Sequence, residues 1–504
     1  MKYVLGLDIG TSSAKAAAVT LNGDVAALAH REYDLQSPHS GWSEEDPQLW
    51  WDACVQALRE VIASLPGGAA GLEAIGVSNQ MHSMVVLDEA LCSIRPSILH
   101  NDARTGAQMR ELKAMLGTDA EGLTRNPIVN GMTLPSLLWL RENEPENYAR
   151  VAHVVLAGDY IRMRLTGTLS TDHSNASATL FYDFDSCGWS KQICNAADIP
   201  MAFLPPIFNS CDIAGHVSAA CARETGLIEG TPVVFGGADQ VMQSIGSGCI
   251  HPGQATVNIG SGGQVCVQTE TLHSAPEAGV NAFAGYERGR WYMMGANTNG
   301  GSAYKWFCRN ILQERDYNAL NAQIASVRPG ADGLIFLPYL NGERCPHRNA
   351  DISGVFLGMS YHTDRARMAR AVMEGVTFSL MDCLQACRQS GCSVNDGMVA
   401  LGGGTNSRVW LQMQADVYNM PLRITVSREQ AVLGAAICAA VGCGAISDMA
   451  QACAAFVRYS DEVIYPDPRT HEIYLKYYQA YRDTFAEAKG VLERTTLLGR
   501  REDI

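Results

Sequence analysis

The sequence predicts an α/β protein built as two related domains. Two observations carry this. Short apolar runs with strand character alternate with amphipathic stretches along most of the chain. A unit of strand, small-residue turn and strand also occurs twice, over residues 3–19 and again over residues 255–267. At 504 residues the chain is long enough for two or more domains.

Residues 3–7 form the first strand, which Asp8 ends. The turn Gly10-Thr11-Ser12-Ser13 follows, then a second strand over residues 16–19 and a hairpin signal at Asn22-Gly23. A carboxylate at a strand end, beside small residues with free backbone N–H groups, suits a phosphate and its magnesium ion. An ordinary hairpin with a polar tip is the alternative. Asp46-Pro47 starts a helix, with Asp as N-cap and Pro at the first helical position. Trp50, Cys54, Leu58, Val61 and Leu65 mark its apolar face, and Pro66-Gly67-Gly68 ends it. Residues 74–77 and 84–87 read as strands. The first leads into Ser78-Asn79-Gln80-Met81-His82. Ligands bind at such strand ends in open α/β sheets, and Gln, His and a thioether together can hold a small polyhydroxylated ligand. His100-Asn101-Asp102-Ala103-Arg104 concentrates further polar groups. Each of these two stretches also reads as a plain surface loop.

The strand over residues 233–235 leads into Gly236-Gly237-Ala238-Asp239. Asp239 there can accept the proton of an attacking hydroxyl, or cap a helix beginning at Gln240. Residues 249–254 read as a connector, so the first domain is expected over 1–248. The second domain, 249–445, opens with the strand over 255–259 and the turn Gly260-Ser261-Gly262-Gly263-Gln264. Later the strand over 398–401 runs into Gly402-Gly403-Gly404-Thr405-Asn406-Ser407, a turn that lets a flat base or a phosphate approach the backbone closely. Residues 431–446 are uncharged and rich in Ala and Gly. They are too short for a membrane span and fit a buried, closely packed helix. Residues 446–504 are expected as a helical extension.

Apolar residues make up 47% and charged residues 18%, as in a folded globular protein. The net charge of −14 argues against general nucleic-acid or acidic-membrane binding. The N-terminus lacks the features of a signal peptide. The sixteen cysteines show no CxxC pair and no zinc spacing, so buried reduced thiols are expected. No P-loop motif occurs. The nearest approach to a Rossmann fingerprint starts at Gly260, lacks its last glycine and leads into a strand rather than a helix.

Taken together, these segments resemble the FGGY family of carbohydrate kinases, within the superfamily of actin, sugar kinases and the Hsp70 ATPase. The second family signature is similar to Gly354-Val355-Phe356-Leu357-Gly358-Met359 through Ala371-Val372-Met373-Glu374. The first is similar to Gly131-Met132-Thr133-Leu134-Pro135-Ser136-Leu137-Leu138-Trp139-Leu140, with Ser136 where a lysine is usual. Gln80-Met81-His82 and Asn101-Asp102 look most like the xylulokinase branch, with Asn79 and Ser83 in place of glycines and His100 in place of a tryptophan.

The resemblance implies two actin-like (ribonuclease H-like) ATPase domains with the nucleotide in an interdomain cleft. It implies transfer of a phosphoryl group from ATP, with Mg2+, to a ketopentose, D-xylulose being the expected sugar. Asp239 is implied as general base and Asp8 as the magnesium residue. Thr11, Ser12 and Lys15 fall at the first phosphate turn, and Gly260 and Ser261 at the second. Gly403, Gly404 and Asn406 fall in the adenosine pocket, while Met81, His82, Asp102 and Asp239 surround the sugar. The expected partners are sugar and ATP, with no nucleic acid and no membrane. The expected setting is the cytoplasm and the expected assembly a homodimer. Two alternatives stand beside this reading: a kinase of another ketose, polyol or sugar acid, and an actin- or Hsp70-like ATPase without a sugar substrate.

Overall fold

The computed structural model describes residues 1–395 and 397–501, with side chains as far as 499; the end of the expected C-terminal extension lies outside the described residues. The chain forms two compact units. The first comprises Met1–Ile250, Phe283–Trp291 and Glu429–Arg458, and the second His251–Ala282, Tyr292–Arg428 and Tyr459–Ile504.

In the first unit, strand Tyr3–Ile9 lies at the middle of a seven-stranded sheet. It pairs antiparallel with Ser13–Thr20, which pairs with Val25–Glu32, and parallel with Leu72–Asn79 on its other side. Pro232–Val234 and the short strand Gly237–Ala238 both pair parallel with Leu72–Asn79. The hairpin turn at Asn22-Gly23 forms with Gly23 at φ 85°, a backbone region that favours glycine. One register row matters for everything that follows. Asp8 stands opposite both Lys15 and Ser78, Ser78 stands opposite Gly237, and Asn79 stands opposite Ala238.

Alternation along Tyr3–Ile9 sends its side chains to two faces. Leu5 and Leu7 join one core with helix Pro47–Ser64, whose Trp50, Cys54, Leu58 and Val61 are all buried. Asp46 caps that helix by accepting from Gln48 N at 2.9 Å. The opposite face carries Gly6 and Gly76 against helix Gln430–Gly442. A Cβ at Gly6 would come to 2.0 Å from the Val432 carbonyl oxygen, and one at Gly76 to 2.0 Å from that of Ala435. Only glycine permits this approach. Helix Asp239–Gly246 meets the same helix as tightly, since a Cβ on Gly434 would come to 2.0 Å from the Met242 carbonyl oxygen. The Ala-rich sequence of Gln430–Gly442 is therefore a packing device, and its residues 435–440 have no exposed surface. A four-stranded sheet, Glu44–Glu45, Ser97–Ile98, Met84–Leu87 and His153–Leu156, lies over a core that includes Leu134, Leu137 and Leu138.

A six-stranded sheet centres the second unit, in the order Val280–Ala284, Trp291–Asn297, Gly263–Thr269, Ala255–Ile259, Met398–Leu401, Leu422–Ile424. Ala255–Ile259 and Gly263–Thr269 form an antiparallel hairpin, and Ala255–Ile259 pairs parallel with Met398–Leu401. This is the arrangement of Tyr3–Ile9 with Ser13–Thr20 and Leu72–Asn79, so the repeated pattern in the sequence is a repeated topology. Helix Arg365–Gln389 is buried along most of its length. Helix Pro468–Arg501 lays Tyr474, Tyr478 and Tyr481 against its Phe378. All sixteen cysteines are free thiols, most of them buried.

Candidate functional site

The first half of the candidate site follows from the register row of the first unit. Asp8, at the end of its strand, accepts from Ser78 Oγ at 2.6 Å. Burial raises its carboxyl above the ordinary value; the Ser78 hydrogen bond and the Lys15 charge oppose this, and the Glu429 charge adds to it. Lys15 Nζ lies 2.5 Å from Glu429 Oε2. The turn after Asp8 is held at both ends. Gly10 N donates to Ser13 O at 3.0 Å, Tyr33 N donates to Ser12 O at 3.1 Å, and the Tyr33 hydroxyl donates to the Gly10 carbonyl. Thr11 is partly exposed and Ser12 exposed at the tip.

Asp239 follows Ala238, which pairs with Asn79, and so emerges on the same sheet end as Asp8. It is the first residue of helix Asp239–Gly246, with Ala238 in the cap position, and its Oδ1 accepts from Gln240 N at 2.8 Å. Burial, then the negative charge of Asp8, pushes its carboxyl up to about 7. Two carboxyls raised by burial on one sheet end, one poised near neutrality, form the arrangement general-base chemistry needs.

Met81 is buried, and His82 takes φ 65°, rare for a side chain with a Cβ. His82 Nδ1 lies 2.6 Å from the Ala178 carbonyl, which can only accept, so this nitrogen carries the hydrogen. Thr133 Oγ1 donates to the His82 carbonyl at 3.1 Å. Asp102 is differently placed. Its Oδ1 accepts from Arg104 N at 2.8 Å and Arg104 Nε at 2.9 Å; its Oδ2 accepts from Ser43 N and Arg104 Nη2, each at 2.7 Å. Those bonds fill the four lone-pair sites of a carboxylate. Arg104 in turn stacks on Trp42 at 3.6 Å and binds Glu44 Oε1 at 2.6 Å. The structure thus holds Asp102 in a buried ionic knot.

Glu45 was not legible as a candidate. It is fully buried, accepts from Trp50 Nε1 at 2.6 Å and Gln80 Nε2 at 3.3 Å, and is pushed up to about 7 by burial. Within the surface-like motif Ser43-Glu44-Glu45-Asp46, nothing marks one acid as internal.

In the second unit the turn after Ala255–Ile259 carries Gly260 and Ser261, and the turn after Met398–Leu401 carries Gly403, Gly404 and Asn406. A third turn, at Gly300-Gly301, packs onto the first: Gly301 N donates to Gly260 O at 2.8 Å and Gly300 N to Ser261 O at 3.1 Å. The glycines divide by what a Cβ would meet. At Gly402 it would come to 2.2 Å from Asn258 Oδ1, and at Gly404 to 2.8 Å from Ile259 Cβ, so these are packing glycines. At Gly260 and Gly403 the nearest atoms lie 3.8 and 3.9 Å away. Their bareness serves no internal contact and leaves backbone open to a ligand. A wide, open depression in this unit is lined by Asn318, Asn321, Asn406, Arg408 and Gln412 among others. Asn318, Asn321 and Gln412 carry no sequence signal, because amides on an ordinary helix look like solvated surface.

Among the described residues no cluster of three or more His, Cys, Asp and Glu could hold a metal. A magnesium ion fits the donor chemistry at Asp8 in another way. It binds through one or two carboxylates plus substrate phosphates and keeps several waters, and a cation there would offset the charge that Asp8 and Asp239 impose on each other.

The chain matches the model of the FGGY family of carbohydrate kinases, N-terminal domain, over residues 3–246, and that family's C-terminal domain over residues 255–443. It is 34% identical over 491 residues to the xylulose kinase of Bacillus subtilis, covering 97% of this chain and 98% of the relative. It is 30% identical over 498 residues to the L-xylulose/3-keto-L-gulonate kinase of Escherichia coli, covering 97% and 98%. The crystal structure of xylulose kinase from Rhodospirillum rubrum superposes with a TM-score of 0.90 at 32% identity, covering 97% of this chain and 100% of that one.

Proposed function

This chain belongs to the FGGY family of carbohydrate kinases, and on that premise we propose that it transfers the γ-phosphoryl group of ATP to D-xylulose, giving D-xylulose 5-phosphate. The observation that carries the chemistry is the pairing of Asp8 and Asp239 on one sheet end, with Asp239 poised near neutrality. In this reading Asp239 accepts the proton of the primary hydroxyl as that oxygen attacks the γ-phosphorus in line. Asp8 holds Mg2+, which supplies charge neutralisation on the phosphates. The turn at Thr11 and Ser12, with Lys15, and the turn at Gly260 and Ser261 orient the phosphates. Gly403, Gly404 and Asn406 receive the adenosine. Met81 and His82 line the sugar site, and Asp102 acts through the loop it braces. Among the described residues no helix is long and apolar enough to cross a membrane. The need for ATP supports a cytoplasmic setting, and a homodimer is part of the same proposal.

A second sugar is favoured by one finding, the full-length match to a kinase named for L-xylulose and 3-keto-L-gulonate. ADP release measured against a panel of ketoses, aldoses, polyols and sugar acids decides between them. We expect turnover to depend on sugar, with D-xylulose giving the highest kcat/KM. A sugar acid or L-xylulose ahead of it would replace the proposed substrate, and sugar-independent turnover would overturn the kinase mechanism.

A further inference from the structure

Beneath the Asp239 turn lies a closed network of polar side chains that the reaction does not consume. Asp172, Ser174, Asn175 and Asn79 have no exposed surface, and Arg162 is 1% exposed. Asp172 caps a short helix by accepting from Asn175 N at 3.0 Å, and its Oδ1 also accepts from Ser174 Oγ at 2.5 Å. Its Oδ2 accepts from Asn175 Nδ2 at 2.6 Å and from Arg162 Nη2 at 3.4 Å. Two arms leave this hub. On one, Ser174 Oγ accepts from Ala238 N at 2.9 Å, the residue immediately before Asp239, while Arg162 Nη1 donates to Phe235 O at 2.8 Å. The Asp239 turn rests directly on the serine, since a Cβ at Gly237 would come to 2.5 Å from Ser174 Oγ. On the other arm, Asn175 and Asn79 exchange amide hydrogen bonds of 2.9 and 3.0 Å, and Asn79 is the residue before Gln80-Met81-His82.

Burying this many polar groups is costly unless they are satisfied; among these side chains only Arg162 Nε finds no partner, and a network so nearly satisfied imposes one geometry. An apolar core would hold the same helix ends. What this network adds is a rigid link between two loops at the same sheet end. We propose that Asp172, Ser174 and Asn175 are positioning residues of the phosphoryl transfer. They fix Asp239 against the Met81-His82 loop, and Asn79 stands at the head of that loop as the network's second anchor. The inference rests on the assignment of Asp239 as general base. A misplaced base costs rate rather than binding, because the hydroxyl must sit at hydrogen-bond distance from the acceptor.

The test is steady-state kinetics on the full-length enzyme. Ser174→Ala is expected to lower kcat at least tenfold with KM for ATP within twofold of wild type, and Ser174→Thr, which keeps the hydroxyl, to recover most of the loss. Asn79→Ala and Asn175→Ala are each expected to raise KM for the sugar, and the double variant to be no worse than either single one, as for two ends of one bond. A Ser174→Ala enzyme with wild-type kcat beside an inactive Asp239→Asn enzyme would overturn the positioning role and leave the base intact. An active Asp239→Asn enzyme would overturn the base itself. If Ser174→Ala does not fold, additivity of the Asn79 and Asn175 effects overturns the link and non-additivity sustains it.

Discussion

Replacing Asp239 by Asn separates what its carboxylate does for catalysis from what it costs the fold. The side chain keeps its shape and loses its charge. Its folded value of about 7 stands roughly three units above the ordinary 3.8. At about 1.4 kcal/mol per unit this sets a ceiling near 4 kcal/mol. The carboxylate is partly exposed, so solvent screening brings the expected cost of ionisation to about 1–2 kcal/mol. Below pH about 4 the carboxyl is protonated in folded and unfolded chains alike and imposes no penalty. Between about 4 and 7 the unfolded chain has released the proton and the folded one retains it, so stability falls as pH rises; above about 7 the penalty is constant. Asp239→Asn should therefore match wild type in melting temperature near pH 4 and exceed it by ~1–2 °C at pH 8. Turnover should fall by about 10²–10⁴ as the base is lost. Thermal melts across pH and a coupled ADP-release assay read both. Equal melting temperatures at pH 8 would refute the buried-charge argument, and more than half of wild-type turnover would refute the role of base.

Three further outcomes follow from the geometry. Wild-type kcat/KM should fall about tenfold per pH unit below about 7 as Asp239 takes up its proton, and a flat profile from pH 5 to 8 would place the base elsewhere. Gly402→Ala, at φ 76° with Asn258 Oδ1 in the way, should destabilise the protein by about 2 kcal/mol or more. Gly403→Ala should leave the melting temperature unchanged and raise KM for ATP; the opposite pattern would reverse their roles. Asp102→Asn, which leaves the buried Arg104 with Glu44 as its one carboxylate partner, should cost about 1–3 kcal/mol of stability, whereas His82→Ala should raise KM for the sugar with little change in melting temperature. An Asp102→Asn enzyme of normal stability with weakened sugar use would instead put that carboxylate in contact with the sugar.

Much of this fold is legible in the order of residues, for identifiable reasons. Helix Pro47–Ser64 has a cap, a proline at its first position and one apolar stripe, so start, face and end all follow from local chemistry. The hairpins after Asp8 and Ile259 are local too, and their likeness to each other is visible before any pairing is known. Long-range partners are not visible in this way. Lys15 meets Glu429, and Asp102 accepts from the distant Ser43 N as well as from its near neighbour Arg104; residue type gives no hint of either distant partner. The family resemblance implies a place for Asp102 at the sugar, and its polar neighbourhood in the sequence looks the same whether its partners are hydroxyls or an internal guanidinium. Asp239 read equally well as base and as helix cap; only the sheet register shows that Ala238 takes the cap and that Asp8 is the neighbour.

The glycine contacts on Gln430–Gly442 bear on the order in which the protein can assemble on the ribosome. Gly6 and Gly76 belong to strands made early, yet the helix that covers them is synthesised only after the greater part of the second unit. At roughly 5–20 residues per second the sheet waits roughly 10–40 s, from residue 250 to residue 442, with one apolar face bare. A ribosome stalled, or a gene split, at the boundary near residue 250 would release a fragment that shows its core to solvent. It should collect on chaperones or aggregate, whereas supplying residues 429–458 in trans is the smallest addition that could restore it.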